Sequence, residues 1–181
     1  TGVEKNIEIF NSIKPISEKI DNITLIQHDY LTFTNEIKYD LIIGNPPYFT
    51  MKRHEVNKEF YDYFDGRPNI YIFFIIYSLK NMLNEDGILS FILPQNFLNC
   101  LYYDKTRRWI YRNCTILNLV KCNDKYLETQ QGTIIFIVKK TKPPNNQHND
   151  KFTLKIDKYL IFGTSDNIKS LANLYDNATF L

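Results

Sequence analysis

Asn45-Pro46-Pro47-Tyr48 places a side-chain amide, rigid backbone carbonyls and an aromatic ring side by side. Asn45 offers a side-chain carbonyl, and the Pro46 peptide carbonyl is a second acceptor held by the fixed φ angles of proline. Two such acceptors can hold both hydrogens of a planar amino group and draw electron density toward its nitrogen. The Tyr48 ring can stack on the heterocycle that carries the amine. A bare Asn-Pro-Pro is also an ordinary turn, and its neighbours decide between the readings. Asp40-Leu41-Ile42-Ile43-Gly44 in front of it is an apolar run that stops abruptly at the prolines, which lack the N–H needed to continue a ladder. A buried strand that ends in such a loop presents the cluster at the edge where open α/β sheets bind ligands.

Other segments reach the same edge. Thr1 to Glu4 reads as the end of a strand that hands over to a helix from Asn6 to Ile13. Ile23 to His28 alternates as a second strand and ends at Asp29-Tyr30-Leu31. Gly87 to Pro94 is a further strand halted by a proline, with Gln95-Asn96-Phe97-Leu98 at its mouth. Glu4, Asp29, Asn45 and Pro94 therefore each sit at a strand's end, and parallel strands bring such ends into one cleft. Asn69 to Leu83 is apolar on nearly every face and predicts a buried helix, ended by Asp86-Gly87. Tyr103 to Arg112 predicts a basic helix whose Lys105, Arg107, Arg108 and Arg112 either form a solvated face, the reading preferred here, or lie near DNA. Lys52, Arg53 and His54 form a basic loop that either meets phosphate or is simply solvated. Thr115 to Val120 and Gly132 to Val138 predict an antiparallel pair. Residues 1–142 read as one catalytic domain, 143–150 as a polar proline-bearing linker, and 151–181 as the start of a further domain.

Composition limits the alternatives only loosely. Hydrophobic residues at 44% and charged ones at 23% are ordinary for a globular chain, and 181 residues hold one sizeable core. The thirteen Tyr and thirteen Phe are mostly explained by an AT-rich genome, so they argue for no ligand. A formal net charge of +2 neither demands nor opposes a polyanion. Cys100, Cys114 and Cys122 form no CxxC pair and stand near no histidine at zinc spacing, so no metal site or disulfide framework is expected. The apolar window from Ile70 to Ile76 is too short to span a bilayer. A soluble intracellular protein without membrane or metal is the expectation, with a monomer as the default.

Asn45-Pro46-Pro47-Tyr48 resembles the catalytic motif of S-adenosylmethionine-dependent amino-methyltransferases, above all the adenine-specific DNA methyltransferases of restriction-modification type. The similarity covers most of the chain. It implies an α/β, Rossmann-like methyltransferase sheet, mostly parallel with a C-terminal antiparallel hairpin and truncated at the N-terminus. It also implies methyl transfer from S-adenosylmethionine to the exocyclic amine of adenine in double-stranded DNA, with the base flipped out. Asn45, Pro46, Pro47 and Tyr48 match the catalytic motif. Glu4 matches the acid that grips the cofactor ribose, and Asp29, with Tyr30 beside it, the acceptor for the amine of the cofactor's adenine. Asn45 and Tyr71 also fall on the cofactor side. Tyr126 matches the aromatic residue that stacks on the flipped base opposite Tyr48. Leu93-Pro94-x-x-Phe97-Leu98 resembles a segment that recurs after the cofactor half. The short spacing from Asp29 to Asp40 gives the γ order, in which target recognition follows the catalytic domain, so residues 151–181 would open that domain.

No acidic-x-x-x-Gly-x-Gly loop occurs, and the resemblance places it upstream of Thr1. The chain by itself is therefore expected to bind S-adenosylmethionine poorly and to be inactive, and tight binding by calorimetry would refute this. Other targets fit the same chemistry: a protein glutamine amide, RNA adenine, or none in a noncatalytic remnant that acts as a binding module.

Overall fold

Glu4 and Asp29 belong to a small parallel β-α-β unit. The computed structural model describes residues 1–122, 132–143 and 147–176, in two compact units, Thr1–Ile37 and Lys38–Leu181. In the first, β1 (Gly2–Glu4) and β2 (Leu25–Gln27) pair in parallel, with Glu4 opposite Gln27, and are joined through α1 (Ile7–Ser17). A parallel pair needs such a crossover. Asn6 starts α1 by accepting hydrogen bonds from the N–H groups of Glu8 and Ile9.

The second unit is built on a four-stranded sheet of β3 (Tyr39–Gly44), β4 (Leu83–Pro94), β5 (Thr115–Cys122) and β6 (Thr133–Lys139), in the order β3-β4-β6-β5. β3 runs parallel to β4, while β6 runs antiparallel to both β4 and β5. The C-terminal antiparallel hairpin of the sequence reading is thus present. Two helices in this unit matter for the site, α2 (Ile70–Tyr77) and α3 (Asp104–Asn113). α4 (Gln147–Asp150), the hairpin β7 (Thr153–Ile156) and β8 (Tyr159–Phe162), and α5 (Ser165–Asp176) complete it.

α2 carries apolar side chains around its circumference, and six of its eight residues are buried, among them Tyr71, Phe73 and Ile76. Each large apolar side chain so placed contributes about 1.5–3 kcal/mol relative to exposure. The helix ends earlier than its composition predicts. A π-helical turn (Ser78–Met82) follows, and Leu83 already pairs with Tyr39 in the sheet while its carbonyl accepts from Lys140 Nζ at 2.9 Å. Asp86 and Gly87 therefore do not stop the helix; they form an excursion inside β4. Asp86 takes a φ of +65°, and a Cβ on Gly87 would lie 2.9 Å from the Asn84 carbonyl oxygen and 3.1 Å from that of Tyr39. Only glycine allows this close approach of backbone to backbone.

The excursion is pinned by charge. Lys139 Nζ lies 2.7 Å from Asp86 Oδ1, and the Thr141 hydroxyl donates to the same oxygen at 2.7 Å. These two hydrogen bonds, with the Lys139 charge, hold the Asp86 carboxyl below its ordinary value of 3.8. A carboxylate depressed in the folded state stabilises the fold above its unfolded value, and that contribution is lost as pH falls through the folded value. Asp86→Asn keeps a side chain suited to positive φ, so its urea midpoint is expected to fall less steeply below about pH 4 than the parent's.

The stretch after β6 stays with the sheet. Asn149 is fully buried; its Oδ1 accepts from Ile116 N at 2.9 Å, and its Nδ2 donates to the carbonyls of Tyr111 and Cys114 at 3.0 and 2.8 Å. Phe162 of β8 packs against Phe97 and Phe136, with ring centroids 6.0 and 6.3 Å apart. Residues 151–176 are too few to bury a core of their own, and they use the one beneath β4 and β6.

Candidate active site

β3 delivers Asn45 to Tyr48 as the sequence predicts. Gly44 is paired with Phe91, and a Cβ there would touch the Phe91 ring at 3.3 Å, so the strand leaves the sheet tightly packed. The loop is then tied to the start of α2. Ile70 N donates to Phe49 O at 3.0 Å, Met51 N to Pro68 O at 2.9 Å, and Thr50 bridges to Asn69. Asn69 caps α2 through Tyr71 N. Both ends of the loop are thus fixed by main-chain bonds, which preorganise what lies between.

Within the loop Pro46 is buried, Asn45 and Pro47 are exposed, and Tyr48 is half-buried. The Tyr48 hydroxyl lies between two acceptors, Asn45 Oδ1 and the carbonyl of Ile92 on β4, the latter at 2.8 Å. Its ring meets Tyr71 edge to face, centroids 6.1 Å apart at 88°. Tyr71 has no exposed surface and donates to Asn96 Oδ1 at 3.2 Å, with Phe97 and Tyr103 packed around it. Burial, then the neighbouring Tyr103, pushes the Tyr71 phenol far above its ordinary value, so it remains a donor at every working pH. A chain of contacts therefore runs from Asn45 through Tyr48 and Tyr71 to Asn96.

The cofactor candidates of the first unit sit at the carboxyl ends of its two strands. Glu4 Oε1 accepts from Asn6 N at 2.6 Å. Asp29 Oδ2 pairs with Lys5 at 2.8 Å, and its Oδ1 accepts from Leu31 N at 3.0 Å. Partial burial raises the Asp29 pKa, but the Lys5 and Leu31 hydrogen bonds outweigh it and the carboxyl lies below its ordinary value. Tyr30 opens the 3-10 turn that follows. A carboxylate has about four acceptor positions, so these local bonds leave both acids able to accept from ribose hydroxyls or an amine. That pair of acceptors fits the hydroxyls and amine of the nucleoside part of S-adenosylmethionine. His28 packs locally, its ring 5.8 Å from Phe33. Tyr126 lies outside the described residues.

The basic helix differs from the sequence reading. Arg107 is fully buried, not solvated: its Nε donates to Leu160 O at 2.6 Å and its Nη1 to Phe97 O at 3.0 Å and Cys100 O at 2.8 Å. Burial lowers its pKa to about 10 while Asp104 opposes, so it stays charged at neutral pH. Arg108 pairs with Asp104 at 2.6 Å and donates to Lys158 O, while Lys105 pairs with Asp65 at 2.7 Å. Arg107 thereby ties the segment bearing Asn96 to β8. In the other basic stretch, the Arg53 guanidinium stacks over Tyr61 and Phe64, 4.5 and 5.3 Å from their centroids. Asn96 and Arg107 were missed as parts of the site. The Gln95-Asn96 pair directly after a proline-halted strand was the available signal for the first; nothing signalled the second.

These elements define the class. A protein of Listeria monocytogenes assigned to the class I S-adenosylmethionine-dependent methyltransferases matches with a TM-score of 0.67 at 16% identity, over 97% of this chain and 54% of that one. The fold is that of S-adenosylmethionine-dependent methyltransferases, and S-adenosylmethionine is the cofactor the class implies. Residues 3–127 match the family model of the Eco57I restriction-modification methylase, and the chain belongs to that family. It is 32% identical over 121 residues to the type II methyltransferase M.CvrRI of Paramecium bursaria Chlorella virus XZ-6E, covering 66% of this chain and 31% of that protein. It is also 34% identical over 76 residues to a tRNA1(Val) (adenine(37)-N6)-methyltransferase of Aliivibrio fischeri, covering 41% of this chain and 31% of that protein. The chain thus spans about a third of the length of these relatives. Among the described residues no group of His, Cys, Asp and Glu could hold a metal ion, and no helix is long and apolar enough to cross a membrane.

Proposed function

We propose that the protein of which this chain is part methylates the exocyclic amine of adenine in duplex DNA, with the base turned out of the stack. The observation that carries this reading is the Tyr48 hydroxyl donating to Asn45 Oδ1. That bond holds the Asn45 side-chain carbonyl beside the Tyr48 ring and leaves its oxygen a second lone pair, which the amino group of a flipped base can fill.

S-adenosylmethionine supplies the methyl group. Asn45 Oδ1 and the Pro46 carbonyl accept the two amine hydrogens and raise the nucleophilicity of the nitrogen. Tyr48 stacks on the base, and Tyr71 backs Tyr48 from the core. Glu4, Asp29 and Tyr30 are the residues assigned to the nucleoside end of the cofactor, and Asn45 is assigned to its methyl end. Bound there, the cofactor would give up its methyl group from the sulfonium, whose S–CH3 bond breaks to leave the neutral thioether S-adenosylhomocysteine, and the proton displaced from the methylated amine would pass to solvent. Positioning and fixed polarity supply the acceleration, because the amine needs no strong base before attack. This chemistry is assigned to residues 1–142 and target recognition to residues 151–181, of which 151–176 share the core beneath β4 and β6.

Incubating the full-length protein with S-adenosylmethionine labelled in its methyl group, and with duplex DNA, RNA and protein separately, tests the proposal. Label in the adenine of DNA is expected. Label in RNA or in protein, with none in DNA, would overturn it. A finer expectation concerns Tyr48. Tyr48→Phe keeps the stacking face and is expected to retain methylation within about tenfold, whereas Tyr48→Ala loses a base-stacking contact that alanine substitutions value at about 1–3 kcal/mol. Comparing kcat/KM of the two variants measures the difference.

A further inference from the structure

A cleft of about 460 Å³ opens at the mouth of β4 and is not used by the reaction described above. Four carboxamides line it, Gln95, Asn96, Asn99 and Asn167, together with the exposed ammonium of Lys121. Leu98 and Ile161 give it apolar wall. Its floor is built tightly. Gln95 N donates to Gly132 O at 2.8 Å, and a Cβ on Gly132 would lie 2.6 Å from Gln95 Oε1, so glycine is what lets the Gln95 amide lie there. On the far wall stand Gly163 and Asn167, from β8's end and α5.

We propose that this cleft takes a nucleotide of the DNA next to the target adenine and reads its base edge. The inference rests on the DNA reading above and adds to it a specificity-determining site. The lining chemistry selects the occupant: Asn and Gln carboxamides pair with base edges through a donor and an acceptor at once, an ammonium meets phosphate, and aliphatic wall covers a base face. The volume falls within the range of small-ligand sites. Asn45, Pro46 and Tyr48 are not among the lining residues, so the target base itself is held elsewhere. Asn96 links the two places, since it lines the cleft and accepts the Tyr71 hydroxyl, which lies behind Tyr48. A neighbour bound here would therefore be sensed through one buried tyrosine at the reacting base. The wall from β8 and α5 gives residues 151–176 a contact with DNA at the site itself.

Nitrogen-15 spectra of the whole chain titrated with the single-stranded trinucleotide d(AAA) test this, because side-chain amide groups give their own signals. Saturable shifts in the NH2 pairs of Gln95, Asn96, Asn99 and Asn167 are expected, as is a Kd about tenfold weaker in the double variant Asn99→Ala/Asn167→Ala. Asn99 is exposed and Asn167 half-buried, so the variant keeps the core. Shifts confined to Asn45 would overturn the second site and leave the proposed reaction standing. Unchanged affinity in the double variant, or no shift at any of the four amides, would also overturn it, whereas the labelling assay alone decides the reaction.

Discussion

Replacing Arg107 by Met should lower the stability of the Lys38–Leu181 unit by about 3–5 kcal/mol, because three main-chain carbonyls lose the donor that satisfies them. Its guanidinium satisfies the carbonyls of Phe97, Cys100 and Leu160, and Asp104 lies 3.9 Å from its Nη2. Without it those three acceptors lose their donor, whereas Asp104 keeps Arg108 and the Leu160 N–H, and each buried orphan costs about 1–3 kcal/mol before relaxation. Domains are stable by about 5–15 kcal/mol, so the loss is a large part of the total. Arg107→Lys keeps the charge but cannot span three carbonyls with the geometry of a planar fork, and should fall between. Urea unfolding of the three proteins at neutral pH ranks them; a midpoint for Arg107→Met equal to the parent's would contradict the assignment.

Asn45→Ala should leave the fold intact and remove the reaction. The side chain is exposed and its acceptor meets only the Tyr48 hydroxyl among the hydrogen bonds described, so stability should change by no more than about 0.5 kcal/mol. Loss of a preorganised group aimed at the reacting atoms typically costs about 100- to 1,000-fold in kcat. In the full-length methyltransferase kcat should fall by that factor with KM for S-adenosylmethionine changed little. A variant that retains a tenth of the parent rate would remove Asn45 from its role.

Much of this was legible because the strands are punctuated. Leu41-Ile42-Ile43 and Phe91-Ile92-Leu93 are short apolar runs stopped by proline, and both are strands with the expected ends, although the first is exposed at Leu41 and Ile43 where its composition predicts burial. The antiparallel pairing of β5 with β6 followed from the short stretch of sequence between them, because a parallel pair needs a longer crossover. Arg107 was illegible because its partners are main-chain carbonyls 7, 10 and 53 residues away, and a carbonyl carries no sequence signature. Asn149 hid for the same reason, a lone amide in a polar stretch that turns out to close the backbone of β5. The end of α2 was misread because Asp86-Gly87 has the composition of a helix stop, while Leu83 had already been claimed by pairing with Tyr39.

β3 lies at one end of its sheet, and Leu41 and Ile43 are 57% and 71% exposed. A strand at the end of a sheet keeps one row of N–H and C=O groups for a further strand. The two prolines of the loop fix how long such a pairing can be. Neither has an N–H to donate, so any ladder formed there ends with the six residues of β3, and the Asn45–Tyr48 loop stays out of it.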